Sequence, residues 1–355
     1  MRFRDSIRVA AMSLSLLAIG QTSAADAPET ASRATLILVQ GAPGTDQYAR
    51  MFDEWSQQWK AAAELGDVTV HDIGSDVEPS PKDVLQQVIV EASQEHERPL
   101  WIVLIGHGTF DGRAAKFNLT GPDVSAKELA EWLDQVSRPL AIVNCASASS
   151  PFVDQLSLTG RVVITATRSG SEVNFTRFGG FIANAIGDIS SDLDKDGQVS
   201  LLEAFLTASR QTTADYEGLG QLVTEHALLD DTGDARGTTA DFFEGIRPVK
   251  SPEGGETLDG HVAHQWHLIP SDEERRFPDE LRPRRDELEL EIALLRDRKS
   301  EMEEDAYYSS LELLLVELAR LYEQADGASQ NNPSTLDDLP PGEAESETRE
   351  ENPAR

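Results

Sequence analysis

The feature that most constrains this 355-residue chain is an alternation of short apolar runs with helix-like segments between Thr35 and Ile186. Continuously apolar runs rich in β-branched residues are typical of strands buried on both faces, as in parallel sheets. Strands that alternate with amphipathic helices form α/β folds. We therefore predict an α/β fold with a mostly parallel sheet flanked by helices, over residues 34–250. The predicted strands are Thr35–Val39, Val68–His71, Leu100–Ile105, Leu140–Cys145 and Arg161–Ala166.

The first residues carry the signature of a signal peptide. Arg2, Arg4 and Arg8 precede an apolar run from Val9 to Gly20, and small residues follow it. The run is shorter than the ~20 residues that span a bilayer, which argues against an uncleaved anchor. We predict that residues 1–24 direct export to the periplasm or the extracellular space, with no stable membrane span in the rest of the chain.

Charge and cysteine content exclude several classes of protein. The formal net charge is -32, so the chain would repel phosphate backbones, and nucleic acid is not expected as a partner. Cys145 is the only cysteine, so no intramolecular disulfide can form. A lone thiol in an exported protein is a liability unless it is buried or used.

Two residues with catalytic chemistry follow two of the predicted strands directly. His107 comes after Leu100–Ile105, and Cys145 ends Leu140–Cys145. In open α/β sheets the active site lies at the carboxyl ends of the strands. Thiolate catalysis needs a base within hydrogen-bond reach of the sulfur, which neighbouring strand ends can provide.

This arrangement resembles the caspase, legumain, gingipain and clostripain group of cysteine peptidases. In that group an apolar strand ends in His-Gly, and a later apolar strand ends in the nucleophilic Cys. The matching segments are Leu104-Ile105-Gly106-His107-Gly108 and Ala141-Ile142-Val143-Asn144-Cys145-Ala146-Ser147. The resemblance covers residues 34 to 245 and implies a caspase-like fold and an endopeptidase that cleaves peptide or protein substrates.

The resemblance also implies roles for individual residues. Cys145 would attack the scissile carbonyl, His107 would handle protons, and the backbone N–H groups of Gly108 and Cys145 would stabilise the oxyanion. Legumain-like enzymes usually have a small residue before the Cys and a polar or acidic one after it, whereas Asn144 and Ala146 occupy these positions here.

The sequence leaves substrate specificity open. Glu172 or Asp123 in the cleft would favour a basic P1 residue, and Arg168 would favour an acidic P1 residue or Asn. A structural or solvated role for all three is the competing interpretation.

A second motif fits the calcium loop of an EF-hand at every position from 192 to 203. Such loops place oxygen ligands at positions 1, 3, 5, 7, 9 and 12 and a glycine at position 6, which is Gly197 here. We predict bound Ca²⁺, with a solvated acidic turn as the alternative. The expected ligands are Asp192, Asp194, Asp196, the Gln198 carbonyl, Ser200 and Glu203.

The C-terminal third has a different organisation. We predict a linker over 251–277, a helical or coiled-coil region over 278–325, and a disordered acidic tail over 326–355. The apolar residues of 278–325 change phase near Asp305 to Ser309, which favours a helical hairpin over a single long helix. This region would serve self-association or binding of a protein partner.

Three functional interpretations remain open on the sequence. The first is an exported, calcium-stabilised cysteine endopeptidase with a His107–Cys145 dyad. The alternative is a catalytically inactive caspase-like module that acts in protein–protein interaction through its C-terminal helices. The third is a non-proteolytic α/β hydrolase or flavodoxin-like binder. The third lacks support because the chain has no Gly-x-Ser-x-Gly elbow and no Gly-rich phosphate loop.

Overall fold

The structure, a computed structural model, describes residues 33–254 and 257–331. The predicted signal peptide and the tail beyond Asn331 lie outside the described residues. The strands are β1 Ala34–Gln40, β2 Val68–Ile73, β3 Leu100–Ile105, β4 Gly108–Phe110, β5 Ala115–Phe117, β6 Val124–Ser125, β7 Leu140–Asn144, β8 Arg161–Thr165, β9 Leu228–Asp230, β10 Phe243–Glu244 and β11 Arg247–Pro248. The α-helices are α1 Asp46–Leu65, α2 Pro81–Ala92, α3 Ala126–Leu133, α4 Pro151–Leu156, α5 Phe178–Ala185, α6 Leu201–Gly218, α7 His261–His264, α8 Asp272–Arg276, α9 Arg282–Asp297 and α10 Glu304–Asn331.

The central sheet has six strands in the order β2-β1-β3-β7-β8-β9. The first five pair in parallel, and β9 adds an antiparallel edge to β8. A small antiparallel sheet, β4-β5-β6, follows the carboxyl end of β3. The predicted fold class, a mostly parallel sheet flanked by helices, is confirmed.

The sheet separates two apolar cores. Because successive strand residues point to opposite faces, alternate residues of each strand enter different cores. One core lies between the sheet and helices α1, α5 and α6, and it contains Ala141, Val143 and Cys145. The other lies against α2, α3 and α4, and it contains Leu140 and Ile142.

Serine residues cap the N-termini of helices α2 and α3. The Ser80 hydroxyl accepts a hydrogen bond from the Asp83 N–H, and Pro81 follows at the first helical position of α2. Ser125 and Glu128 form a capping box at the start of α3. Each cap satisfies backbone donors that the helix itself leaves unpaired.

The segment predicted as a linker, 251–277, contains a packed stretch at residues 263–268 and is not a linker there. Ala263, Trp266 and Leu268 are buried in the core beside α1, α5 and α6. The Trp266 ring meets Trp101 of β3 edge-on, with ring centroids 5.1 Å apart. These few apolar side chains anchor an otherwise polar segment, which explains why its composition predicted a linker.

The C-terminal helices are present as two helices that pack against each other. A separate apolar cluster of Phe277, Leu288, Leu321 and Ala325 joins α9 to α10. The Arg284 guanidinium of α9 contacts the Glu317 carboxylate of α10 at 2.6 Å. Helix α10 continues to Asn331, so residues 326–331, predicted as tail, are helical. Within the described residues, no helix has the length and apolarity that a membrane crossing requires.

Candidate functional site

His107 lies at the carboxyl end of β3 with its ring in an aromatic pocket. The rings of Tyr48 and Phe52 of α1, and that of Phe175, surround it at centroid distances of 4.7, 5.3 and 5.7 Å. Its Nε2–H donates to the Pro43 carbonyl at 3.3 Å. Burial lowers the pKa of His107, and the Pro43 hydrogen bond partly offsets that effect. Burial therefore favours the neutral imidazole, and Nδ1 takes no part in the Pro43 contact.

Cys145 follows β7 on the sheet face that packs against α1, α5 and α6, and it is 0% exposed. Burial raises the pKa of its thiol, and the nearby Glu225 carboxylate adds to that rise. Thr176, itself buried, donates its hydroxyl to the Cys145 carbonyl at 2.5 Å. A thiol in such surroundings stays protonated and is a poor nucleophile.

Gly179 of α5 closes over Cys145. A Cβ atom built on Gly179 would lie 2.8 Å from the Cys145 Cβ and 2.6 Å from Cζ3 of Trp55. The helix can approach the strand end this closely because residue 179 has no side chain. This close packing accompanies the complete burial of Cys145.

The predicted dyad and oxyanion donors are not assembled in this structure. The described contacts include no hydrogen bond between the His107 ring and Cys145. The Cys145 N–H donates to the Leu104 carbonyl at 2.9 Å as part of the parallel sheet. The Gly108 N–H donates to the Ser147 hydroxyl at 3.3 Å. Both predicted oxyanion donors are therefore already used within the protein.

Ser147 is the residue that sequence reasoning missed. Its hydroxyl accepts from the Gly108 N–H and donates to the Gly108 carbonyl, at 3.3 and 3.2 Å. A Cβ on Gly108 would lie 2.2 Å from the Ser147 carbonyl oxygen, so this contact requires glycine. The chain then turns sharply, because Ala148 has a left-handed φ of 52°. The polar run Ser147-Ala148-Ser149-Ser150 after a buried strand was the available signal.

The residues considered for substrate specificity have structural partners. The Glu172 carboxylate accepts from His226 Nδ1 at 2.7 Å and from the Arg168 N–H at 3.1 Å. Asp123 accepts from the Leu119 N–H at 3.1 Å. Arg168 is the most open of the three, and its side chain borders a cavity of about 600 Å³ between α6 and the segment before β9.

The loop from Asp192 to Glu203 connects the region after α5 to the start of α6. Carboxylate oxygens of Asp192, Asp194 and Asp196 lie within 4.8 Å of one another. Asp192 accepts from the Lys195 N–H at 2.6 Å and from the Gly197 N–H at 3.1 Å, and Gly197 turns the chain with φ 91°. Three carboxylates at this separation suit a hard divalent cation such as Ca²⁺.

The remaining predicted ligands lie in the same loop but have other partners. One Glu203 oxygen accepts from the Leu193 N–H at 2.6 Å, and the other accepts from the Ser200 N–H at 2.8 Å. Ser200 is the N-cap of α6, and the side chain of Gln198 accepts from the Ser271 N–H at 3.1 Å. Burial raises the pKa of Asp196, and the charges of Asp194 and Glu203 raise it further.

Comparisons with known proteins show similarity at the level of solved structures. No family model and no curated protein matches the chain. The Drosophila initiator caspase Dronc is similar at 13% identity and a TM-score of 0.38, over 56% of this chain and 79% of that one. A Geobacter sulfurreducens protein is similar at 10% identity and a TM-score of 0.38, over 56% of this chain and 92% of that one. Caspase-1 from Spodoptera frugiperda is similar at 8% identity and a TM-score of 0.39, over 57% of this chain and 87% of that one.

Proposed function

We propose that this chain is a caspase/legumain-like module that binds protein partners without thiol catalysis. The observation that carries the proposal is the complete burial of Cys145 beneath Gly179. A catalytic cysteine must form a thiolate that a substrate can reach, and burial opposes both conditions. The fold relationship itself is supported by the positions of His107 and Cys145 after the neighbouring parallel strands β3 and β7.

Binding is then the activity to be explained, and the C-terminal helices are its candidate location. Helices α9 and α10 pack through their own apolar cluster rather than through the central sheet. A hairpin built in this way offers a separate surface to a partner. Its acidic character agrees with the formal net charge of -32.

The reactivity of the thiol tests the proposal. We expect iodoacetamide to leave Cys145 unmodified in the native protein and to modify it after unfolding in urea. A Cys145→Ala, Ser309→Cys variant is the matched control, because Ser309 is exposed on α10 and its thiol should react at once. Fast native alkylation of Cys145 that is lost on His107→Ala would overturn the proposal.

A second experiment addresses proteolysis directly. The wild type, Cys145→Ala and His107→Ala are incubated with a peptide library, with and without calcium. We expect no cleavage that depends on either residue. Cleavage that disappears in Cys145→Ala would restore the His107–Cys145 endopeptidase and give its P1 preference.

We also propose that the loop from Asp192 to Glu203 binds Ca²⁺, as a structural ion. The support is the clustering of three carboxylates and the positive φ of Gly197 at the sixth loop position. Binding would require the Glu203 carboxylate to turn from backbone donors toward the ion. Export, which we propose from the sequence of residues 1–24, would place the loop where calcium is abundant.

A further inference from the structure

Helix α10 has a second apolar face beside the one that contacts α9. Its buried face carries Tyr307, Leu321 and Ala325. The neighbouring face is open to solvent, with Tyr308 49%, Leu315 43% and Val316 42% exposed. We call this face the α10 strip; its residues border a shallow groove of about 340 Å³ and are Tyr308, Leu311, Glu312, Leu315, Val316 and Ala319.

The spacing of these residues makes the α10 strip continuous. Leu311, Leu315 and Ala319 follow Tyr308 by three, seven and eleven positions, which places them on one side of a helix. From Tyr308 to Ala319 the helix rises about 17 Å, at 1.5 Å per residue. An apolar face of three turns matches a partner helix of similar length.

A row of acidic residues runs along the α10 strip and includes Glu312, itself a strip residue. Glu312 and Glu323 follow Asp305 by 7 and 18 positions, which places all three on one line along the helix. All three are exposed. Basic groups lie at the margins: the Lys299 ammonium is 5.4 Å from the centroid of the Tyr308 ring, and Arg320 is the one basic residue within α10.

The charge of this row selects among the possible occupants. A second copy of the chain would bring its own acidic row against this one, and the formal net charge of -32 would add repulsion. An anionic lipid surface would be repelled in the same way. A basic helix would gain both apolar contact and charge pairing, as in recognition of an amphipathic helix in a groove.

We propose that the α10 strip binds an amphipathic helix of a protein partner, with an apolar face flanked by Lys or Arg. This inference rests on the proposed function, in which the C-terminal helices bind a protein. The partner's apolar side chains would cover Tyr308, Leu315 and Val316. Its basic side chains would pair with Asp305, Glu312 and Glu323.

The probe is a fluorescent synthetic helix with Leu along one face and Lys on both flanks, titrated with the full chain by anisotropy. Its twin carries Glu in place of Lys. We expect the Lys peptide to bind and the Glu peptide not to bind. Leu315→Gln should weaken binding about tenfold, because it removes one buried apolar contact. Glu312→Lys should weaken binding of the Lys peptide and improve binding of the Glu peptide.

Leu313→Gln is the matched control, because Leu313 is 73% exposed and points away from the α10 strip. It should leave binding unchanged. Equal affinity for Leu315→Gln and Leu313→Gln would mean that the peptide is attracted by charge alone and would overturn the inference. Sedimentation that shows a dimer abolished by Leu315→Gln would assign the strip to a second copy instead.

The two proposals can fail separately. Peptide binding reports on α10, whereas alkylation reports on Cys145, and the α10 strip variants should leave native alkylation unchanged. If the Lys peptide fails to bind while Cys145 stays unmodified, only the proposal of a basic helical partner is rejected. A reactive thiol with peptide binding intact would reject only the absence of catalysis.

Discussion

Cys145 and Ser147 have different surroundings although a single residue separates them. Cys145 continues the alternation of β7 and enters the core beside Ala141 and Val143. Ser147 lies beyond the end of the strand, where the chain turns at Ala148 and brings its hydroxyl to Gly108. Both side chains are buried, but only Cys145 belongs to the apolar core, whereas the Ser147 hydroxyl is hydrogen-bonded to Gly108.

Gly179 determines this enclosure and can be tested. We expect Gly179→Ala to lower the free energy of unfolding by about 1–3 kcal/mol, because its methyl group would overlap Cys145 and Trp55. Urea denaturation measures the change. Gly218→Ala is the control: no atom lies within 4 Å of its added Cβ, so it should be neutral or stabilising. Equal effects of the two substitutions would contradict the close packing.

The sequence predicts that His107 and Cys145 lie at the ends of strands, but it does not predict which residues cover them. Their placement depends on local strand patterns that hydrophobic runs reveal. The burial of Cys145 depends on Gly179 of α5 and on Thr176 in the loop before it, both of which are more than 30 residues away in sequence. Likewise, the pairing of Glu172 with His226 joins loops that precede different elements.

At the scale of elements, features that depend on local sequence could be predicted, whereas features that depend on tertiary contacts could not. The starts of α2 and α3 can be read from the sequence at Ser80 and Ser125, because a cap acts within one turn. The edge strand β9, Leu228–Asp230, was missed because three residues carry no measurable period. The packing of residues 263–268 was missed because it depends on a few apolar side chains, Ala263, Trp266 and Leu268, within a polar segment.

In the loop from Asp192 to Glu203, we expect the effect of Asp196→Asn on the thermal midpoint to depend on calcium. Without calcium, Asp196→Asn should raise the thermal midpoint, because Asp196 is held near the charges of Asp194 and Glu203. With calcium, the wild type should gain stability on binding the ion, and Asp196→Asn should gain less. Differential scanning calorimetry in EDTA and in excess CaCl₂ measures both.

Glu217→Gln provides the comparison, since it removes an equal charge from an exposed position of α6. It should respond to calcium as the wild type does. If EDTA and calcium give the same midpoint for the wild type, the loop is an acidic turn and no ion stabilises it.

At the scale of the whole molecule, the excess of acidic residues opposes compactness. Salt screens the repulsion between like charges, with a Debye length of about 10 Å at 0.1 M. With a formal net charge of -32, we expect the thermal midpoint to rise as NaCl increases from about 20 mM to about 300 mM. A midpoint that falls over this range would mean that attractive ion pairs, such as Arg284–Glu317, outweigh the repulsion.

The buried Cys145 can also report on local opening of the core. Because Cys145 has no exposed surface, a reagent can modify it only when the packing around it, which includes Gly179 of α5, opens. The rate of modification in dilute denaturant would then measure how often this layer opens and at what energetic cost. A single natural cysteine thereby allows the dynamics of the core to be followed without introducing a label.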